Sequence, residues 1–239
     1  MKIDWQPLGD QALLAYCDDE AAAARLARGI RRSPPDWLLD VVQAYASVAV
    51  FFDLGRINGA SVGDELSNLA MDDQPSTTTA TLHEIPVCYE RGPDLVRVAE
   101  YAGLDAETVI RLHLETEYAV YAIGFCPGFP YLGYLPREIC GVPRLPSPRI
   151  KVPVGSVGLT GRQTGIYTEA RPGGWNLIGQ TPMKLVDVRA GYFPLKTGDR
   201  VRFRRVDEAE FQSYANQQDT TGRDLNHRDT EAQRSRKCD

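Results

Sequence analysis

The chain has 239 residues, 43% hydrophobic and 25% charged, with a formal net charge of -5. That balance is close to the globular average, so extended disorder is excluded for most of the chain, and the acidic excess argues against a general nucleic-acid binder. No run approaches the roughly 18–20 continuous apolar residues of a membrane span, and the opening MKIDWQPLGDQALL lacks the basic-then-apolar layout of a signal peptide. A cytoplasmic protein without nucleic-acid or membrane partners is expected.

In chain order, alternation predicts short strands over Lys2–Gln6 and Ala12–Tyr16, joined by the turn-like PLGD. Asp18 or Asp19 is placed to cap a helix through EAAAARLARGIRR, acids first and arginines last, which Pro34 and Pro35 then stop. WLLDVVQAY and SVAVFFDL read as strands, and Ser61–Ala70 as a short helix. The polar stretch 71–81 is the best linker candidate, dividing an N-terminal α+β domain (1–82) from a second unit (83–211).

The second unit opens with the strand HEIPVCYE. Two helices follow, PDLVRVAEYAG with Pro93 near its start and Gly103 beyond its end, and DAETVIRLHL capped by Asp105. After the apolar strand YAVYAIGF the pattern changes to short β-prone pieces (KVPVGSVGLT, TGIYTEA, WNLIG, MKLVDVRA, RVRFRRV) broken by Gly and Pro. Such spacing predicts a barrel or sandwich rather than a βαβ sheet. Residues 212–239 hold almost no large apolar side chains and are expected to be a disordered tail.

Five cysteines (Cys17, Cys88, Cys126, Cys140, Cys238) form no CxxC pair, and no histidine stands at metal-ligand spacing, so neither a disulfide framework nor a metal site is indicated. Charge is unevenly spread: residues 137–206 carry 13 basic and 4 acidic side chains within an acidic protein. This excess reads either as solvated strand faces balanced by acids elsewhere or as an anion site. Within it, Arg144 and Arg149 sit on the proline-stiffened VPRLPSPRIKVP, with Lys151 as a third cation, where forked donors suit a carboxylate or phosphate. GFCPGFPYLGYLP is an irregular aromatic loop that reads as a barrel-entry loop or a pocket floor. His113 reads as a structural imidazole or a proton-transfer group.

The blocks LHLETEYAVYAIGFCPGFPYLGYLP and PRLPSPRIKVPVGSVGLTGRQTGIYTEARPGGWNLIGQTP closely resemble a family with three kinds of member. These are allophanate hydrolase subunit 1, the B-type subunit of 5-oxoprolinase (PxpB) and the sporulation-kinase inhibitor KipI. The resemblance covers about residues 1–206. It implies an α+β domain followed by a cyclophilin-like β-barrel. It also implies a C-type partner, of the kind of allophanate hydrolase subunit 2, together with an A-type partner. The implied activity is ATP-dependent opening of 5-oxo-L-proline to L-glutamate, with ATP and magnesium bound by the assembled complex. A KipI-like kinase inhibitor and a urea carboxylase-type carboxyltransferase piece remain the alternatives. Carried onto this chain, His113, Arg144 and Arg149 are the catalytic candidates. Lys151, Phe125, Pro127, Gly128, Phe129, Gly155, Gln163, Tyr167, Gly173, Gly174 and Trp175 are the binding candidates. Thr168 stands where the family usually has proline, Ile150 where a small polar residue is common, and Leu159–Gly161 in place of an alanine-bearing turn.

Overall fold

Asp19 opens the first helix as the sequence predicts: its Oδ1 accepts a 2.6 Å hydrogen bond from the Ala22 amide, satisfying one of the unpaired donors of a helix start. The helix, α1 (Glu20–Arg32), buries Ala23, Leu26, Ala27 and Ile30 at helical spacing. The computed structural model describes residues 3–68 and 80–216. The expected linker 71–81 falls largely outside them, as does the tail from 217.

Strands β1 (Trp5–Pro7), β2 (Ala12–Tyr16), β3 (Leu38–Ala44) and β4 (Ser47–Phe52) form an antiparallel sheet in the order β1-β2-β4-β3. The apolar stripe of α1 packs on Leu13, Ala15, Val48, Val50 and Phe52 from that sheet. Helix α2 (Gly59–Asn68) adds Val62 and Leu66 to the same core, where the Trp37 indole donates to Glu65 at 2.7 Å.

The second unit contains β5 (Leu82–Val87), α3 (Leu95–Ala102), α4 (Ala106–Glu115), β6 (Glu117–Ile123), β7 (Pro130–Gly133), β8 (Arg149–Val152), β9 (Ser156–Thr160), β10 (Gln163–Ile166), β11 (Arg171–Gly173), β12 (Asn176–Gln180) and β13 (Arg200–Arg205). Seven of these strands form one sheet in the order β12-β9-β10-β7-β6-β13-β5, and β8 pairs with β11 apart from it. The two outer strands nearly meet. Cys88, just past β5, exchanges both backbone hydrogen bonds with Gln180 at the end of β12, at 2.9 and 3.0 Å. The sheet is thus a nearly closed barrel, which removes the exposed edges of an open sheet. By contacts the chain divides into residues up to 81 with Tyr121–Ile123, and the remainder from Leu82 on.

Two expectations are corrected. MKLVDVRA (183–190) is no strand and supplies only a single bridge, Asp187 with Tyr192. The Asp187 side chain accepts from the Ala190 amide at 3.0 Å and pairs with Lys184, a local turn that competes with a ladder. The expected tail also starts too early, because residues 208–216 form a helix, α5. Phe211 of that helix is buried against Cys88 and Val206, with the Arg91 guanidinium 3.9 Å above its ring.

Candidate functional site

The aromatic loop folds on itself after β6. The Cys126 amide donates to Gly124 at 2.8 Å and the Phe129 amide to Cys126 at 3.1 Å, closing a tight turn. Thr168, just past the neighbouring strand β10, anchors it by donating to the Pro127 carbonyl at 2.7 Å. Gly128, at φ +68°, backs directly onto Val186. Phe125 is forced to φ +67° and left 60% exposed. A bulky residue in the left-handed region carries strain, and such strain is retained where the side chain is put to use. Its ring stands edge-on to the buried Phe129 and Tyr167, at centroid distances of 5.4 and 6.2 Å. Tyr131 and Trp175 close the cluster around Phe129. The result is an aromatic floor with one exposed ring at its edge.

The cations gather at the double glycine beside this floor. A β-carbon on Gly173 would lie 2.3 Å from the Tyr167 hydroxyl, so glycine is what lets the phenol seat there. Arg149 is the cross-strand partner of Gly173, and the Arg144 β-carbon packs beside Gly174. Burial pushes the Tyr131 and Tyr167 phenols upward, with the Arg144 charge opposing the rise at both. The backbone around Arg144 is tied at three points. Val142 accepts from Gly161 and from Thr160, Pro143 accepts from Asn176 Nδ2 at 3.0 Å, and the Leu145 amide donates to Gly174 at 2.7 Å. Yet the Arg144 side chain is exposed and makes no hydrogen bond or ion pair among the described residues. An exposed guanidinium on a fixed backbone is open to an anionic partner.

His113 lies elsewhere, and the expectation of a proton-transfer role is corrected. It is fully buried, stacked on Phe203 at 4.5 Å, with both ring nitrogens engaged. Thr164 donates its single hydroxyl hydrogen to the Gly158 carbonyl at 3.0 Å, so toward His113 Nε2, also 3.0 Å away, it accepts. The ring therefore carries its proton on Nε2, and Nδ1 accepts from the Tyr89 hydroxyl at 2.7 Å. Burial holds the imidazole down to about 3. It is a buried neutral residue closing a hydrogen-bonded chain.

The remaining candidates divide. Lys151 is exposed, unpaired among the described residues, and on the same face of β8 as Arg149. Gly155, at φ +80°, is where the chain crosses Thr181, whose carbonyl would lie 2.3 Å from a β-carbon; its place is architectural. Gln163 stands at the far end of β10 from Tyr167, about 13 Å away along an extended strand. The site does not include it. Asp94 and Asn176 are the residues that sequence reasoning passes over: Asp94 reads as part of a helix start, and only the fold brings it to Arg149, 55 positions on.

Much of the basic excess proves to be strand faces balanced by acids. Arg202 pairs with Glu117 at 3.0 Å, Arg204 with Glu210 at 3.3 Å, and Arg205 with Glu90 and Glu107 at 2.8 and 2.6 Å. Arg144 and Lys151 stand outside these pairs. Among the described residues no group of three His, Cys, Asp or Glu side chains is placed to hold a metal ion, and no helix is long and apolar enough to cross a membrane.

The chain belongs to the carboxyltransferase domain family, subdomains C and D, which it matches over residues 3–193. Among its relatives, the B-type subunit of 5-oxoprolinase from Bacillus subtilis is 37% identical over 87% of this chain and 95% of its own length. The corresponding 5-oxoprolinase subunit of Haemophilus influenzae, also of the B type, is 50% identical over 70% of this chain and 78% of its own. A longer crystallised protein superposes with a TM-score of 0.71 at 36% identity; the match takes in 83% of this chain and 40% of that one.

Proposed function

We propose that the chain is the B-type subunit of ATP-dependent 5-oxoprolinase, opening 5-oxo-L-proline to L-glutamate with partners of the A and C types and inactive without them. The observation that carries the reading is Arg144, an unpaired guanidinium on a tied backbone beside an aromatic floor, in a chain so similar to the B-type 5-oxoprolinase proteins of two bacteria. 5-Oxoproline offers the complementary chemistry: a flat lactam ring for the floor and a carboxylate for the guanidinium.

An unstrained lactam resists water, and its opening requires activation, which ATP supplies in the complex. Among the described residues no group of three His, Cys, Asp or Glu side chains is placed to hold a metal ion, and the sequence has no GxxxxGK[ST] loop. No step through ATP is assigned to this chain. Its own residues bind and orient. Phe125, backed by the buried Phe129 and Tyr167, takes the ring face, Arg144 takes the carboxylate, and the joint field of Arg144, Arg149 and Lys151 favours negative charge growing on the lactam oxygen. The barrel is read as the cyclophilin-like domain that the sequence blocks imply. The thiols of Cys17, Cys88, Cys126 and Cys140, all unbridged, fit a reducing cytoplasm.

The test is reconstitution with the cognate A-type and C-type partners. ATP-dependent release of glutamate from 5-oxo-L-proline is expected only with all three proteins present. A complete complex that assembles and releases none would reject the reading.

A further inference from the structure

Asp94 holds Arg149 in an unusual way. The residue is 7% exposed, and both carboxylate oxygens are in use. Oδ1 accepts from Arg149 Nη2 at 2.7 Å, whereas Oδ2 accepts from the Leu177 amide, also at 2.7 Å. The Asp94 amide returns a bond to the Leu177 carbonyl at 2.9 Å. The acid is thus bolted to β12 and has only one oxygen to offer. A carboxylate free of Leu177 would take the guanidinium with both oxygens, fork to fork. Here one prong is held, and Arg149 Nη1 is buried with no partner among the described residues. The Arg149 side chain as a whole nevertheless stays 28% exposed, so the guanidinium keeps an open edge beside the candidate site.

The surroundings say which acceptor. Arg149 faces Gly173 across the β8–β11 ladder, Gly173 lies under the Tyr167 hydroxyl, and Arg144 packs against Gly174. The charges of Asp94, Arg149 and Arg144 leave one positive charge in excess, which a single carboxylate neutralises. We propose that Asp94 is a positioning residue that turns Arg149 so that the open edge of its guanidinium, together with Arg144, grips the carboxylate of a cyclic amide acid lying on the aromatic floor. The inference rests on the 5-oxoprolinase reading for the identity of that acid.

The experiment uses the reconstituted complex with 5-oxo-L-proline as substrate and 2-pyrrolidinone, the same ring without the carboxylate, as competitor. Asp94→Asn keeps the shape but loses the charge that aims Arg149; Arg149→Lys keeps the charge but has no second prong. Both are expected to raise the KM for 5-oxo-L-proline tenfold or more, with the Ki of 2-pyrrolidinone within twofold of the parent. An unchanged KM overturns the proposal. So does an equal loss toward both ligands, or unfolding of both variants, since each shows the pair to be structural. Titration of the full chain with 5-oxo-L-proline separates this inference from the functional reading. Binding that weakens in Asp94→Asn, in a complex that releases no glutamate, leaves the clamp standing and removes the 5-oxoprolinase reading. Glutamate release with unaltered KM in both variants does the reverse.

Discussion

The Tyr89 hydroxyl and His113 Nδ1 stand 2.7 Å apart inside the barrel, with both side chains closed to solvent. Burial drives their ionisations apart: the imidazole is held down to about 3 and the phenol is raised well above its ordinary range. The pair is fixed as donor phenol and acceptor imidazole throughout the working pH range.

This gives a pH dependence of stability with a definite sign. The unfolded chain takes up a proton on His113 near pH 6.5, and the folded chain only near 3. The stability contributed by the neutral ring is therefore complete above about pH 6.5 and falls as pH drops from there toward 3, by up to about 1.4 kcal/mol per pH unit. Thermal melts between pH 7 and 4 should show a shallower decline for His113→Gln than for the parent. Identical slopes would contradict the assignment.

Arg144→Lys tests the unpaired guanidinium. A lysine keeps the charge but not the fork, and turnover of the reconstituted complex should fall about tenfold or more, equivalent to about 1.4 kcal/mol. The melting temperature should stay within about a degree, because the exposed side chain makes no ion pair to lose. Full activity in the variant would show that the cation takes no part in binding.

Phe125→Gly separates backbone strain from ring function. Glycine relieves the left-handed penalty of about 1 kcal/mol and adds unfolded-chain entropy of about the same size, so the melt should scarcely move. The KM for 5-oxo-L-proline should rise severalfold with the ring gone from the floor. A stable variant with parental KM would remove Phe125 from the site.

Phe211→Ala tests helix α5. The ring is buried with Cys88 and Val206 and lies under Arg91, which also grips Glu208 and Gln180 across the barrel seam. Truncation should cost about 3 kcal/mol, seen as a clear drop in denaturant midpoint. A midpoint unchanged from the parent would show that α5 is not needed to hold the seam.

The features legible in the sequence were local or covalently close. Asp19 capping Glu20–Arg32, Asp105 capping α4, Gly103 in the left-handed turn that ends α3, and the strand runs of β2, β4 and β6 all follow from neighbours within a few residues. The aromatic loop and the PGGW block stood out as candidate site because Gly, Pro and ring density are properties of short stretches. Partnerships, by contrast, were settled only by the fold. His113 became a core imidazole because Tyr89, Thr164 and Phe203 come from three distant strands and turns to enclose it. Arg202 and Arg205 of the basic stretch were neutralised because β13 lies beside elements bearing Glu90, Glu107 and Glu117. Arg144 and Arg149, alike in sequence, were separated into a cation unpaired among the described residues and one held by Asp94. Burial and pairing depend on which distant groups arrive at a side chain, and residue spacing along the chain carries no record of that.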